Sequence, residues 1–260
     1  MSTKPTLVFA PGAWHTPDCY DIVREQLHQR GWATEAVAYP SVGAEPPTKG
    51  LADDAAAVRA TLERLADEAK EIVLVVHSYG GLVGQNSVEG LGFQQRQKAG
   101  KKGGVIMFVY LTAFVAPKGA TIKAMLGGQF LPWMKMDVSF YREKRDRSGD
   151  YCRADTPEQI FYHDVEAEGQ KKAVSKLQHQ SARIFTDEVT YEPWHEIPCM
   201  FFYCEADQAL PLPIQQAMAK ALGDKAVSYT SVGSHSPFLS QPKEVVDGIE
   251  FAAKAGQERR

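Results

Sequence analysis

Continuous apolar runs recur along the chain, each closed by glycine, proline or a short polar stretch. Thr6–Ala10, Ile72–Val76, Val105–Leu111 and Cys199–Cys204 have no polar alternation, the pattern of strands buried on both faces of a parallel sheet. Thr34–Ala38 and Ala226–Thr230 predict two shorter strands. Between the runs lie segments of helical period. Tyr20–Gln29 stops at Gly31, and Leu51–Ala69 carries Ala55, Val58, Leu62 and Leu65 on one stripe. A helix starts near Gly80, Pro213–Leu222 stops at Gly223, and Pro242–Ala253 closes the chain before a polar, frayed tail at Gly256–Arg260. Strands alternating with helices predict an α/β fold, with a mostly parallel sheet covered by helices on both faces.

The rhythm breaks once. Residues 1–116 and 199–260 carry the alternation, whereas 117–198 mixes apolar aromatics with a charged, helix-like run around Pro157–Gln180. An insertion at that point predicts a helical cap over the sheet edge. Its Phe130, Leu131, Met136, Phe140 and Tyr141 suit a subdomain core, while Trp133 and Met134, in a proline-interrupted stretch, suit a pocket wall. Gln94–Gly104 is polar, basic and glycine-rich, and predicts a solvated loop rather than an anion contact.

Composition narrows the function. A 260-residue chain with 44% hydrophobic residues supports one large domain core, and no stretch is long or apolar enough to span a bilayer. Net charge of −3 without a basic block argues against nucleic acid as a partner. The four cysteines (Cys19, Cys152, Cys199, Cys204) lack C-x-x-C spacing, so neither a metal nor a disulfide framework is indicated and reduced thiols are expected. The start has neither the length nor the cleavage pattern of a secretory signal. A cytoplasmic location follows as the expectation, without cofactor or metal. Oligomeric state is left open by the sequence, a homodimer included.

The chemistry begins at EIVLVVHSYGGLVG, Glu71–Gly84. A serine on a sharp strand-to-helix turn is the nucleophile-elbow arrangement, which lifts Oγ clear of the sheet's carboxyl edge. The motif is imperfect, because Val76 stands where a small residue is usual, and Ser78 could equally be a helix N-cap. Two further polar residues decide for the nucleophile. Asp207 follows the Cys199–Cys204 strand and His235 follows the Ala226–Thr230 strand, so all three lie at the edge where parallel strands gather ligands. Glu205 competes for the acid's place, but Asp207 is shorter and sits nearer the turn closed by Pro211. No carboxylate follows the Val105–Leu111 strand in Thr112–Pro117, which closes the other position where the acid could sit. An oxyanion hole would use the backbone N–H of Tyr79 and of Ala13, the latter presented by Gly12. Trp14 and His15 are placed to brace that loop or line the pocket. His77 points away from Ser78 by strand alternation and reads as a hydrogen-bonded core histidine.

The chain resembles the α/β-hydrolase superfamily, most closely its branch of plant methyl-salicylate-type esterases and hydroxynitrile lyases, with fungal-type relatives. The resemblance rests on PGAWH (Pro11–His15), VVHSYGGLVG (Val75–Gly84), VYLTAFVAPKG (Val109–Gly119), EADQALP (Glu205–Pro211) and GSHSPFLSQP (Gly233–Pro242). It implies Ser78 as nucleophile, His235 as base, Asp207 as orienter and Ala13 with Tyr79 as oxyanion donors. Pro11 departs from the histidine common in the branch. Ser236 replaces the lysine that follows the catalytic histidine in the lyases, and Gly12 replaces a threonine, which weakens the lyase reading.

The expected activity is hydrolysis, through an acyl-enzyme, of an ester or lactone of a small, largely apolar or aromatic acid. Two alternatives use the same pocket: C–C cleavage, cyclisation or lyase chemistry on a polyketide-like molecule, and non-catalytic reception of a small ligand.

Overall fold

The computed structural model describes residues 4–137 and 150–260, so Phe140 and Tyr141 of the insertion lie outside the described residues. The chain opens with β1 (Thr6–Ala10), α1 (Asp21–Gln29), β2 (Thr34–Ala36), α2 (Leu51–Asp67), β3 (Glu71–Ser78), α3 (Gly80–Ser87), α4 (Phe93–Lys98) and β4 (Gly104–Ala113). The insertion holds α5 (Ile122–Met125), β5 (Met134–Asp137), β6 (Tyr151–Ala154), α6 (Pro157–Ile160), α7 (Ala167–Lys176) and β7 (Gln180–Ser181). The chain then resumes with β8 (Cys199–Cys204), α8 (Leu212–Ala219), β9 (Val227–Ser231), α9 (Pro237–Ser240) and α10 (Pro242–Arg259).

Six strands in the order β2-β1-β3-β4-β8-β9 pair in parallel. Strand alternation divides the core into two layers. Ile72, Leu74 and Val76 face one side with Ala55, Val58, Leu62 and Val83, against α2 and α3. Val73 and Val75 face the other with Tyr20, Val23, Val246 and Ile249, against α1 and α10. That parity carries to the strand's end: His77 belongs to the α1/α10 side, where its ring meets Phe238 at 5.1 Å, and Ser78 turns to the opposite face.

Three segments differ from the sequence expectation. The insertion is mixed rather than all helical, since β5, β6 and β7 form an antiparallel sheet. Its strands are two to four residues long, too short for periodicity to register. The polar stretch after Gly92 holds α4, anchored by buried Arg96, which donates to Asp67 Oδ1 at 2.8 Å and to the Lys102 carbonyl. The C-terminal tail is not frayed: α10 continues through Gly256, where a Cβ would come within 2.9 Å of Met107 Cβ. Glycine there lets the helix lie directly on β4.

Candidate active site

The elbow forms because its backbone tolerates what most residues avoid. Ser78 adopts φ 53°, a strained value for a non-glycine residue, and the chain enters α3 at once. Three glycines make room for the turn. Gly80 packs on the carbonyls of Ala10 and Pro11, and Gly81 packs on that of Phe114. A Cβ on Gly84 would stand 2.6 Å from Val76 Cγ1, so the space usually left by a small residue before the serine is supplied from the helix side. This is why Val76 is compatible with a close strand–helix contact.

The three polar residues taken from separate strand ends meet in one line. His235 Nε2 lies 3.0 Å from Ser78 Oγ, and His235 Nδ1 lies 2.7 Å from Asp207 Oδ2. A carboxylate only accepts, so Nδ1 carries the proton and Nε2 accepts from the Ser78 hydroxyl. Asp207 is buried and its other partners are all donors: Thr112 Oγ1 at 2.5 Å, and the Ala209 and Leu210 N–H groups at 2.8 Å each. Glu205, the competing acid, is exposed and takes no part. The Thr112 hydroxyl, at φ 36° near the end of β4, was not singled out from sequence. Its only signal is a polar residue closing an apolar strand.

Gly12 brings the loop after β1 against the elbow, because a Cβ there would stand 3.1 Å from Ser78 Cβ and 2.7 Å from His77 Nδ1. Its carbonyl accepts from His15 N at 3.4 Å, closing a four-residue turn with Trp14 at φ 66°. In a trans peptide the N–H points opposite to the C=O, so that bond turns the Ala13 N–H away from His15. His15 Nδ1 donates to the Ala13 carbonyl at 2.7 Å and Nε2 accepts from Tyr162 Oη at 2.8 Å. Burial is the main cause that lowers the His15 pKa from 6.5 to about 4, so the ring is neutral at physiological pH.

The cap holds both loops. Ser234 Oγ donates to the Phe161 carbonyl, Ser234 N donates to Asp164, and His163 Nε2 donates to the Ala206 carbonyl at 2.8 Å. Above Ser78 lies an apolar cavity open to solvent at its mouth. All four residues expected at the pocket, Trp14, His15, Trp133 and Met134, line it. Trp14 is its hub, with ring centroids 5.6–5.8 Å from Phe185, Trp133 and Phe161. Leu131, expected in the cap core, lines the cavity too, as do Phe161 and Phe185, which the sequence reading did not single out. Among the described residues the lining contains no Asp, Glu, Lys or Arg.

Residues 7–248 match the model of the alpha/beta hydrolase family, and the chain belongs to that family. It is 30% identical over 250 residues to the alpha/beta hydrolase nvfD of Aspergillus novofumigatus, covering 96% of this chain and 97% of that one. Its fold matches a pyrethroid hydrolase of Sphingobium faniae at a TM-score of 0.75 and 22% identity, covering 98% of this chain and all of the other. A methylesterase from Arabidopsis matches at a TM-score of 0.75 and 18% identity, covering 96% and 99%. Among the described residues no helix is long and apolar enough to cross a membrane.

Proposed function

We propose that the protein is a serine hydrolase that cleaves a carboxylic ester or lactone of a small, uncharged, apolar or aromatic substrate. The observation that carries this is the Ser78–His235–Asp207 line opening into a cavity walled by Trp14, Trp133, Phe161 and Phe185. The pyrethroid hydrolase and methylesterase among its structural neighbours agree with ester chemistry on this fold.

In the proposed cycle His235 Nε2 takes the Ser78 proton as Oγ attacks the carbonyl carbon, and Asp207 holds the imidazolium that results. The Ala13 and Tyr79 N–H groups receive the oxyanion, each donor being worth about 3–4 kcal/mol in the transition state. His235 then protonates the leaving alkoxide. Water, deprotonated by the same nitrogen, releases the acid and restores Ser78. Among the described residues the cavity has no charged wall to offset the desolvation of an ionised substrate, which favours neutral acyl and alcohol parts.

The test is turnover of a neutral aryl ester by Ser78→Ala, with mass spectrometry of the wild type after a fluorophosphonate probe. Loss of turnover and a single adduct on Ser78 are expected. Wild-type turnover by Ser78→Ala would overturn the reading.

A further inference from the structure

The two amides proposed to bind the oxyanion sit on different elements, the loop after β1 and the elbow. Their relative position is therefore a tertiary property. A continuous line of buried hydrogen bonds joins the two elements through the cap. Gln180, on β7, accepts from the Trp14 N–H at 2.7 Å through Oε1 and donates through Nε2 to Ser41 Oγ at 2.7 Å. Ser41 Oγ donates to Asp54 Oδ2 at 2.5 Å, while Ser41 N donates to Asp54 Oδ1 at 3.0 Å. The line ends where Tyr79 Oη donates to Asp54 Oδ2 at 2.6 Å. Gln180, Ser41 and Asp54 are each fully buried.

The bond at Trp14 does more than satisfy a buried N–H. The turn Gly12–His15 places φ 66° at its third residue, the position that a type II turn normally reserves for glycine or asparagine. A tryptophan there would favour the form with the central Ala13–Trp14 peptide rotated. Both ends of that peptide are held as they stand: the carbonyl by His15 Nδ1 and the N–H by Gln180 Oε1. Removing Gln180 leaves the strained conformation with one restraint fewer and a buried donor unpaired.

We propose that Gln180, through Ser41 and Asp54, is a positioning residue that sets the loop of Ala13 against the elbow of Tyr79 and so shapes the oxyanion site. Because Gln180 belongs to the cap and Asp54 to α2, docking of the cap and readiness of the site become one event. A cap residue that never touches substrate thereby controls the chemical step. The inference rests on the reading of Ala13 and Tyr79 as oxyanion donors.

Gln180→Leu cuts the line in the cap, and Tyr79→Phe cuts its other end by deleting one hydroxyl. Both are measured on a neutral aryl ester for kcat and KM separately, and for inhibition by an aryl boronic acid, whose tetrahedral adduct places an oxygen in the oxyanion site. Each variant is expected to lose on the order of 10- to 100-fold in kcat, the effect of a small misplacement of catalytic groups, with KM within about threefold. Boronate affinity should fall in parallel with kcat, while affinity for the neutral alcohol product stays constant. The double variant should lose less than the product of the two single losses, because one line is cut twice.

Wild-type kcat in both variants, or a loss confined to KM, would overturn the proposal. Should Gln180→Leu not fold, Tyr79→Phe decides alone. The two readings fail separately: turnover by Ser78→Ala removes the acyl-enzyme, whereas an inactive Ser78→Ala beside wild-type turnover by Tyr79→Phe removes the positioning line only.

Discussion

His77 Nε2 donates to the backbone carbonyl of His235 at 2.7 Å. The residue before the elbow serine thus holds the loop that carries its hydrogen-bond partner, so Ser78 and His235 are tied by the backbone as well as by their side chains. The donor assignment leaves Nδ1 bare and buried against Gly12, and burial, then the neighbouring His235 and His15, drives the His77 pKa well below 6.5. A ring held neutral in this way is a strut.

His77→Leu keeps the volume and deletes that strut. We expect kcat to fall about tenfold with KM little changed, and stability to drop by about 1–3 kcal/mol from the lost buried bond. Steady-state kinetics beside a denaturant titration would check it. Unchanged kcat would show that the His235 loop holds its place without His77.

Thr112→Val removes one of the four donors around Asp207 while keeping the β-branched shape. A hydrogen bond to a charged group contributes about 1.5–3 kcal/mol. A loss of that order in stability is expected, together with a kcat lower by several-fold, because the carboxylate proposed to orient His235 gains freedom. Thermal melts and kinetics measure the two effects separately, and a stable variant with wild-type kcat would contradict the account.

Gly84→Ala should clash with Val76 Cγ1 and Phe108 Cζ, which an added Cβ would approach at 2.6 and 2.7 Å. Overpacking of this kind costs about 1–3 kcal/mol. Val76→Ala in the same chain should recover part of the loss, although alone it creates a void and destabilises. If the pair were no better than Gly84→Ala, the complementary packing of these two positions would be disproved.

Three buried groups contribute to the acid response of stability between pH 6.5 and 4. His15 titrates at about 4 in the folded chain against 6.5 ordinarily, and His77 is shifted the same way, so the unfolded chain binds their protons first. Stability therefore falls as pH drops from 6.5 toward 4, by about 3 kcal/mol for His15. Asp54 acts oppositely: burial raises its carboxyl from 3.8 to about 6, so the folded chain protonates first and gains stability between pH 6 and 3.8. The two histidines outweigh one carboxylate, and the melting temperature should fall between pH 6.5 and 5. Asp54→Asn, which lacks the compensating proton uptake, should fall more steeply below pH 6. A melting temperature that rises over this window in the wild type would refute the assignment.

Much of this was readable along the chain. Unbroken apolar runs such as Ile72–Val76 can hardly be anything but doubly buried strands, and their alternation with helices constrains where strand ends gather. Ser78, Asp207 and His235 could be picked out because each follows its own strand, and position after a strand is a local property. Trp133 and Met134 were recognisable as wall residues because proline interrupts the periodicity around them.

What sequence could not reveal depends on distance through space. Gln180, Ser41 and Asp54 are ordinary polar residues in their own segments, and they acquire a role only when cap, loop and helix bring them within hydrogen-bond reach. The same holds for Val76, an apparent flaw in the elbow until Gly84 on the facing helix supplies the missing space. Periodicity reports which face of an element is buried. Which buried polar groups find one another is decided by tertiary packing, because hydrogen bonds form over about 3 Å whatever the separation along the chain.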